Sequence, residues 1–217
     1  MQPPISRACI WQGLTALIAV LGLLLQFVWM QAQAQYVGAL WMTLRYFSYF
    51  TILSNVLVAL VCGVAALAPR SRAGHWCTHA GVRGAVLLYI LITAAVYHLL
   101  LAAHWHPRGL ALLADALLHT VVPGVYALGW LWIAPVRGLR WRYLGAWLLV
   151  PVLYFIWAML MGRLLHVYPY PFLNLTRLGV ELLLRNAVLL LLLFALLGAA
   201  LVLLDRSLLR LHGDARR

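Results

Sequence analysis

Three residues of this chain have the types and spacing of a hydroxyl nucleophile with its general base. Asp115 and His119 are four positions apart, so on a helix the carboxylate can hold one imidazole nitrogen and leave the other free to accept a proton. A threonine hydroxyl is a weak nucleophile until a base removes its proton, and Thr51 is the candidate. We expect an acyl-transfer triad in which Thr51 attacks, His119 transfers the proton and Asp115 orients the imidazole.

Other polar residues on the predicted helix faces extend this site. Ser48, Thr51 and Asn55 are spaced i, i+3, i+7, with Ser54 at the margin of that face. Asn55, one helical turn from Thr51, is the nearest candidate for the oxyanion donor that acyl transfer requires. The residues expected to bind the oxyanion or the substrate are Asn55, Ser54, Ser48, His98, Tyr126, Tyr170, Glu181 and Arg185. The alternative for the hydroxyl groups is that they bond their own helix or join neighbouring helices.

The composition predicts that lipid surrounds the helices that carry these residues. Hydrophobic residues make up 66% of the 217 positions and charged residues 9%, with a mean hydropathy of +0.96, whereas a soluble domain has about 25% charged residues. Six stretches have the roughly 20 apolar residues that cross a bilayer as a helix. They are residues 9–30, 44–68, 84–103, 110–134, 143–162 and 178–204. We therefore predict an all-α fold, a six-helix bundle forming a single transmembrane domain over residues 1–217.

The arginines set the expected orientation of this bundle. The chain has 16 basic residues, all of them arginine, and 4 acidic ones, for a net charge of +12. Positively charged loops stay cytoplasmic. Most of the arginines fall at the N-terminus, in two alternate loops and in the tail, namely Arg7, Arg70, Arg72, Arg83, Arg137, Arg140, Arg142, Arg206, Arg210, Arg216 and Arg217. Both termini are expected in the cytoplasm of a multi-pass protein of the cell inner (plasma) membrane. Such a distribution favours attraction to anionic lipids over nucleic-acid binding, which needs a concentrated basic patch.

The first apolar stretch and the tail each have two interpretations. Ala32-Gln33-Ala34 resembles a signal-peptide cleavage site that follows a basic start at Arg7. The stretch from Cys9 to Met30 is longer than the roughly 7 to 15 apolar residues of a usual signal peptide. We interpret it as a retained helix, with cleavage within residues 1–34 as the alternative. The basic tail 205–217 is interpreted as a solvated cytoplasmic anchor, with a lipid-binding amphipathic segment as the alternative.

The polar residues are expected near one face of the membrane. Thr51 and His119 are seven and nine residues from the outer ends of their stretches, on the order of 10 to 14 Å deep, so their side chains can meet. Pro123 is expected to kink the helix one turn beyond His119. Glu181 and Arg185 are expected to pair, which favours a structural or substrate-steering role. Because the inner halves of the stretches are nearly pure aliphatic, we expect a polar cavity open to the outer leaflet and not a through-pore.

Three short segments resemble a known family. They are 45-RYFSYFTILSNVLVAL-60, 115-DALLHTVVP-123 and 168-YPYPFL-173. The resemblance is to the six-helix membrane threonine hydrolases that include the androgen-induced protein and ADTRP, with bacterial relatives of the Pr-six-Pr type. It implies that Thr51 and His119 are the catalytic pair and that fatty acid esters of hydroxy fatty acids are hydrolysed. The animal members have Asn at the position of Asp115 and Asn or Asp at that of Ser54, so the roles of Asp115 and Asn55 are inferred from this chain alone.

Two other classes of function stay open. A haem-binding or electron-transfer protein would use histidines as axial ligands, and the candidates are His98, His119 and His166. A non-catalytic lipid-binding membrane protein would use the same polar stripes only to join helices. No cofactor and no metal is expected, because His104 and His106 are two ligands and do not make a site. The expected partner is a lipid substrate from the bilayer, and the sequence does not indicate an oligomeric state.

Overall fold

The structure, a computed structural model, describes residues 6–133 and 138–214, and within these ranges it contains helices and turns and no strand. Six helices are long and apolar enough to cross a membrane, namely Arg7–Gln31, Phe50–Leu67, Ala80–His104, Leu110–Ile133, Tyr143–Leu165 and Leu175–Arg210. The predicted all-α fold with six long apolar helices is confirmed. Three of the arginines expected on the cytoplasmic side, Arg137, Arg216 and Arg217, lie outside the described residues.

The helices are interrupted at several points. In chain order they are α1 (Arg7–Gln31), α2 (Ala39–Phe47), α3 (Phe50–Leu67), α4 (Arg72–Thr78), α5 (Ala80–Val96), α6 (Leu110–Ala116), α7 (Val122–Leu128), α8 (Tyr143–Leu165) and α9 (Leu175–Asp214). A π-helical turn at Tyr97–Leu101 extends α5, another at Leu117–Val121 joins α6 to α7, and a third at Gly129–Ile133 follows α7. Helix α9 breaks near its start at Gly179, whose φ of 75° favours glycine.

Close packing of α1 brings the first helix next to the segment that carries His119. Helix α1 packs along α3 and against α6. A Cβ atom at Gly22 would lie 2.9 Å from Cδ2 of Leu118 and 3.1 Å from Cβ of Leu117, so a larger residue there would require these side chains to shift. On their outer faces the long helices expose large aliphatic side chains such as Leu17 (67%) and Leu196 (70%). Apolar surface of this extent is compatible with a membrane around the helices.

The second apolar stretch is two helices, which differs from the predicted continuous span over 44–68. Helix α2 is capped at Ser48, and α3 begins after Tyr49, whose backbone is extended (φ −83°, ψ 130°). Thr51 therefore lies in the first turn of α3 and not seven residues inside a helix. The break changes what surrounds the Thr51 amide, because the first amide groups of a helix have no carbonyl partner in that helix.

Side chains of α8 stabilise this break. The end of α2 leaves carbonyl groups without helical donors. The indole Nε1 of Trp157 donates to the carbonyl of Phe47 (3.0 Å), and the Tyr154 hydroxyl donates to the carbonyl of Ser48 (2.9 Å). Since both donors come from a helix that is more than a hundred residues away in the chain, the break is a tertiary feature.

Pro123 shapes the helix that carries His119. Proline has no N–H, so the carbonyl of Leu118, five residues earlier in the π-helical turn, has no donor from the helix itself. The side-chain amide of Asn55 donates to this carbonyl at 3.2 Å. Where a kink was expected at Pro123, the helix has a π-helical turn, and Asn55 of the neighbouring helix α3 donates a hydrogen bond to it.

A second proline loosens α8 beside α5. Pro151 lies inside α8 and leaves the carbonyl of Trp147, four residues earlier, without its helical donor. The hydroxyl of Tyr89 on α5 donates to that carbonyl at 3.0 Å. This bond holds α5 and α8 together beside the site described next.

Candidate active site

The break between α2 and α3 places three polar groups around one point. The Thr51 backbone N–H donates to the phenol oxygen of Tyr170 at 3.3 Å, and the Thr51 hydroxyl oxygen lies 3.4 Å from the same phenol oxygen. The positive end of the α3 dipole is also at this position. A hydroxyl, a backbone donor and a phenol therefore converge where the helix begins.

His119 contacts the Thr51 hydroxyl. The distance from Thr51 Oγ1 to His119 Nε2 is 3.2 Å, which is within reach for direct proton transfer. Thr51 is 9% exposed and the His119 side chain 13%. Thr51 and His119, expected at a common depth, are thus in contact. Their surroundings exclude most water.

Asp115 orients the imidazole ring of His119. His119 Nδ1 lies 3.2 Å from Asp115 Oδ1 and 3.1 Å from the Asp115 carbonyl oxygen. Both are acceptors, so this geometry favours the tautomer with the proton on Nδ1 and leaves the Nε2 lone pair facing Thr51. The second carboxylate oxygen, Oδ2, accepts a hydrogen bond from the Tyr97 hydroxyl.

Tyr97 supports both Asp115 and His119. Besides its bond to Asp115, its ring stacks on the imidazole of His119, with ring centroids 3.9 Å apart and planes 13° apart. It lies in the π-helical turn that extends α5, a type of distortion that is frequent at functional sites. The sequence gives little signal for this role, since an aromatic residue near a helix end is typical of a membrane interface.

Asn55 joins the two segments that carry Thr51 and His119, and its amide hydrogens are engaged there and not at the expected oxyanion position. Its side-chain amide donates to the Thr51 carbonyl at 2.8 Å and to the Leu118 carbonyl at 3.2 Å. An Asn amide has two hydrogens, and these bonds use both. Asn55 therefore positions Thr51 against the turn that carries His119.

The two serines bond their own helices, which was the alternative considered for them. Ser54 donates to the Thr51 carbonyl at 3.1 Å and contacts the Thr93 hydroxyl of α5 at 2.8 Å. Ser48 donates to the Arg45 carbonyl at 2.7 Å at the end of α2. Both hydroxyl groups are buried and bonded to protein atoms.

A cavity of about 640 Å³, lined by aliphatic, aromatic and polar side chains, lies in front of Thr51, His119 and Asp115. Its polar walls include Gln26, Gln33, Arg45, His104, Tyr49, Thr51, Tyr97, Asp115, His119 and Tyr170. Arg45 Nε is buried and has no hydrogen-bond partner among the described residues, and its guanidinium carbon lies 5.5 Å from the Trp41 ring centroid. This cavity therefore contains a cation with an unused donor.

Four expected binding residues lie away from this cavity. Tyr126 is buried and donates to the carbonyl of Arg83 at 3.2 Å, and His98 is exposed and bonded to a neighbouring threonine. Glu181 and Arg185 are exposed and, in the part of the chain that the structure describes, do not form the expected ion pair. These two residues, expected to bind the oxyanion or the substrate, therefore do not line the cavity at Thr51, because α9 turns that face outward.

Tyr170 reaches Thr51 from the connection between α8 and α9. A short helical turn at Pro171–Leu173 follows it, and its ring stacks on Phe172 with centroids 5.1 Å apart. Burial raises the pKa of the Tyr170 phenol above its ordinary value of 10.0, and hydrogen bonds with Thr51 partly offset that rise. The phenol is thus a neutral hydrogen-bond donor at neutral pH.

The histidines considered as haem ligands have separate surroundings. His166 is exposed at the end of α8, with a left-handed backbone (φ 55°), and both His119 nitrogens face protein atoms. Within residues 6–133 and 138–214, no three or more His, Cys, Asp or Glu side chains are grouped so as to hold a metal ion.

No family model, no curated protein and no solved structure matches the chain.

Proposed function

We propose that this protein is an intramembrane lipid ester hydrolase in which Thr51 is the nucleophile. The observation that carries the proposal is the continuous contact from Thr51 Oγ1 to His119 Nε2 (3.2 Å) and from His119 Nδ1 to Asp115 Oδ1 (3.2 Å). A hydroxyl, a base and an orienting carboxylate in series are the groups that acyl transfer to a hydroxyl requires.

The reaction runs in two steps. Thr51 Oγ1 bonds to the ester carbonyl carbon while its proton moves to His119 Nε2, and the carbonyl electron pair moves onto the oxygen. That pair returns as the bond to the alcohol oxygen breaks, and His119 gives its proton to the leaving oxygen. Water then attacks the acyl-threonine while His119 takes one of its protons, and the bond between the acyl carbon and Thr51 Oγ1 breaks as His119 returns that proton to Oγ1, which releases the fatty acid. The Asp115 carboxylate stabilises the imidazolium in both steps.

The Thr51 N–H and the Tyr170 hydroxyl supply the oxyanion donors in this proposal. Both groups are adjacent to Thr51 Oγ1. The phenol O–H can rotate toward a negative oxygen on the attacked carbon, and that oxygen would replace the phenol oxygen as the acceptor of the Thr51 N–H. They take the role that was expected of Asn55, and they are fixed in place before the substrate binds.

In the proposed setting the six helices cross the inner (plasma) membrane with both termini in the cytoplasm. The exposed Arg70, Arg72, Arg140 and Arg142 then lie on the cytoplasmic side near anionic lipids, and the Tyr170 loop lies on the opposite side. The triad is within the outer leaflet, where a lipid substrate reaches it by lateral diffusion. Nucleic acid has no part in this function.

The larger cavity suits an ester whose alcohol part carries a carboxylate, as in fatty acid esters of hydroxy fatty acids. Arg45 lines that cavity, and its buried Nε lacks an acceptor in the described part of the chain. Arginine binds carboxylates through paired hydrogen bonds, so a carboxylate would complete its bonding.

Hydrolysis of such an ester by the purified full chain in lipid nanodiscs tests the proposal. Thr51→Ala and His119→Ala should each lower kcat by about 10³-fold or more. Thr15→Ala is the matched control, because Thr15 is also buried but bonds Trp11 in α1 and lines neither the cavity nor the triad. Full activity of Thr51→Ala would place the nucleophile elsewhere. Absence of any turnover, together with no labelling by a fluorophosphonate, would favour the non-catalytic lipid-binding alternative.

A further inference from the structure

A second, smaller cavity reaches the same nucleophile from another side. It has a volume of about 200 Å³ and lies between α5, α8 and α9. Its walls away from the triad are apolar and include Val96, Pro151, Phe155, Ala187, Val188 and Phe194. Val188 is 56% exposed on the outer face of α9, so this cavity faces the surroundings of the helices and not only the bundle interior.

The two cavities share the nucleophile but not the base. Thr51, Tyr97, Leu101 and Tyr170 line both of them, whereas His119 and Asp115, of the residues that the structure describes, line only the larger one. The Tyr170 phenol is thus available to an oxyanion at the junction. A substrate bound with its reacting carbon at Thr51 can therefore place one of its two parts in each cavity.

The position of His119 decides which part of the substrate occupies which cavity. In the acylation step His119 must protonate the leaving alcohol oxygen, so that oxygen has to be on the His119 side of the attacked carbon. The acyl carbon chain leaves the same carbon in another direction. With the alcohol in the larger cavity, the remaining space next to Thr51 is the apolar cavity between α5, α8 and α9.

We infer that the apolar cavity between α5, α8 and α9 binds the acyl chain of the substrate, and that the larger cavity binds the alcohol. The inference rests on the proposed hydrolase function and specifies the substrate within it: an ester with a hydrocarbon acyl chain and a more polar alcohol part. The acyl-enzyme formed on Thr51 keeps its chain in the apolar cavity while the alcohol leaves and water enters from the polar side. Selectivity for acyl length is therefore set by residues of α8 and α9 that do not contact His119.

Ala187 is the position at which this assignment is most directly tested. It is a small, partly buried residue in the wall of the apolar cavity, so Ala187→Phe reduces the space without removing a polar contact. Leu196→Phe is the matched control, because Leu196 lies on the same helix, is 70% exposed and does not line the cavity.

Two series of water-soluble p-nitrophenyl and alkyl esters distinguish the binding of the acyl chain from the binding of the alcohol. In the first, the acyl chain lengthens from acetyl to octanoyl with a constant alcohol; in the second, the alcohol lengthens with a constant acetyl group. For the wild type, kcat/KM should rise up to about fourfold per acyl methylene, the gain from removing one methylene from water. Ala187→Phe should lower kcat/KM for octanoyl esters by about 30-fold or more, leave acetyl esters within about twofold, and leave the alcohol series unchanged.

The outcomes distinguish this inference from the function on which it rests. If Ala187→Phe changes the alcohol series and not the acyl series, or changes neither, the assignment of the cavities is wrong while hydrolysis that depends on Thr51 still stands. If Leu196→Phe shifts the acyl profile as much as Ala187→Phe does, the assignment is also overturned. Hydrolysis that persists in Thr51→Ala would instead remove the proposed function itself.

Discussion

Replacement of Asp115 by Asn isolates the part of the site that orients His119. The side chain keeps its size, but the negative charge beside His119 Nδ1 is lost. In a triad where the acid alone fixes the imidazole tautomer, this change lowers kcat by about 10⁴-fold. Here Nδ1 has a second acceptor, the Asp115 carbonyl oxygen at 3.1 Å, and this acceptor remains in the variant.

The expected loss is therefore smaller than in a triad with one acceptor. The Asp115 carbonyl keeps the proton on Nδ1, and what disappears is the stabilisation of the imidazolium by the carboxylate 3.2 Å away. A partly exposed charge–charge contact of this kind corresponds to about 2 to 3 kcal/mol, so we expect kcat to fall by about 30- to 150-fold, at 1.36 kcal/mol per tenfold. KM should change little, because the two carboxylate oxygens of Asp115 are engaged by His119 and Tyr97.

The assay is ester hydrolysis by the full chain in nanodiscs, with kcat and KM measured separately. Asp205→Asn is the matched control, since Asp205 is a buried acid that accepts from the backbone N–H groups of Gly138 and Leu139 at the other end of the helices. Tyr97→Phe removes the hydroxyl that donates to Asp115 Oδ2. Because this hydroxyl acts through Asp115, the double variant should have a kcat little lower than that of Asp115→Asn alone. Unchanged kcat in Asp115→Asn would refute the orienting role. A loss equal to that of His119→Ala would refute the role of the carbonyl as second acceptor.

Three further predictions concern the groups around the triad. Tyr170→Phe should lower kcat by about 10²-fold through loss of one oxyanion donor, and an unchanged kcat would contradict the donor role. Because burial raises the pKa of Tyr170 above 10.0, wild-type kcat/KM should stay level to pH 10; a tenfold fall by that pH, absent from Tyr170→Phe, would contradict the raised pKa. Asn55→Ala should lower kcat by about tenfold or more with KM nearly constant, since the Thr51 and Leu118 segments are no longer joined; a change in KM alone would argue against positioning. Trp157→Phe removes the donor to the Phe47 carbonyl and should lower the free energy of unfolding by about 1 to 2 kcal/mol. Thermal denaturation in detergent measures this change, and an unchanged Tm would show that the break between α2 and α3 does not need this bond.

Local sequence properties predict the six apolar helices and the contacts among Asp115, His119 and Thr51, because both depend on short-range spacing and depth. Hydropathy over windows of about 20 residues was sufficient to locate six apolar helices. The i, i+4 spacing of Asp115 and His119 implied their contact, and the common depth of Thr51 and His119 made a contact between them possible; in the structure both contacts are present.

Features that depend on distant residues could not be predicted in this way. Residues 44–68 form an unbroken apolar stretch, and the break at Ser48 and Tyr49 is stabilised by donors from α8. The role of Asn55 depends on the missing N–H of Pro123 on another helix. Tyr97 has no spacing relationship with Asp115 or His119, because it comes from α5. Glu181 and Arg185 had favourable spacing, but only the packing of α9 determines that they face outward.

The claim that Thr51 is the nucleophile is tested most directly by locating a covalent adduct. The full chain in nanodiscs is treated with a fluorophosphonate, digested, and the modified residue is assigned by peptide mass spectrometry. We predict a single phosphonyl adduct on Thr51 that is lost in His119→Ala and retained in Thr15→Ala, because only a hydroxyl that His119 deprotonates reacts. An adduct on Ser54, Tyr170 or any other residue, or an adduct on Thr51 that persists in His119→Ala, would contradict the account.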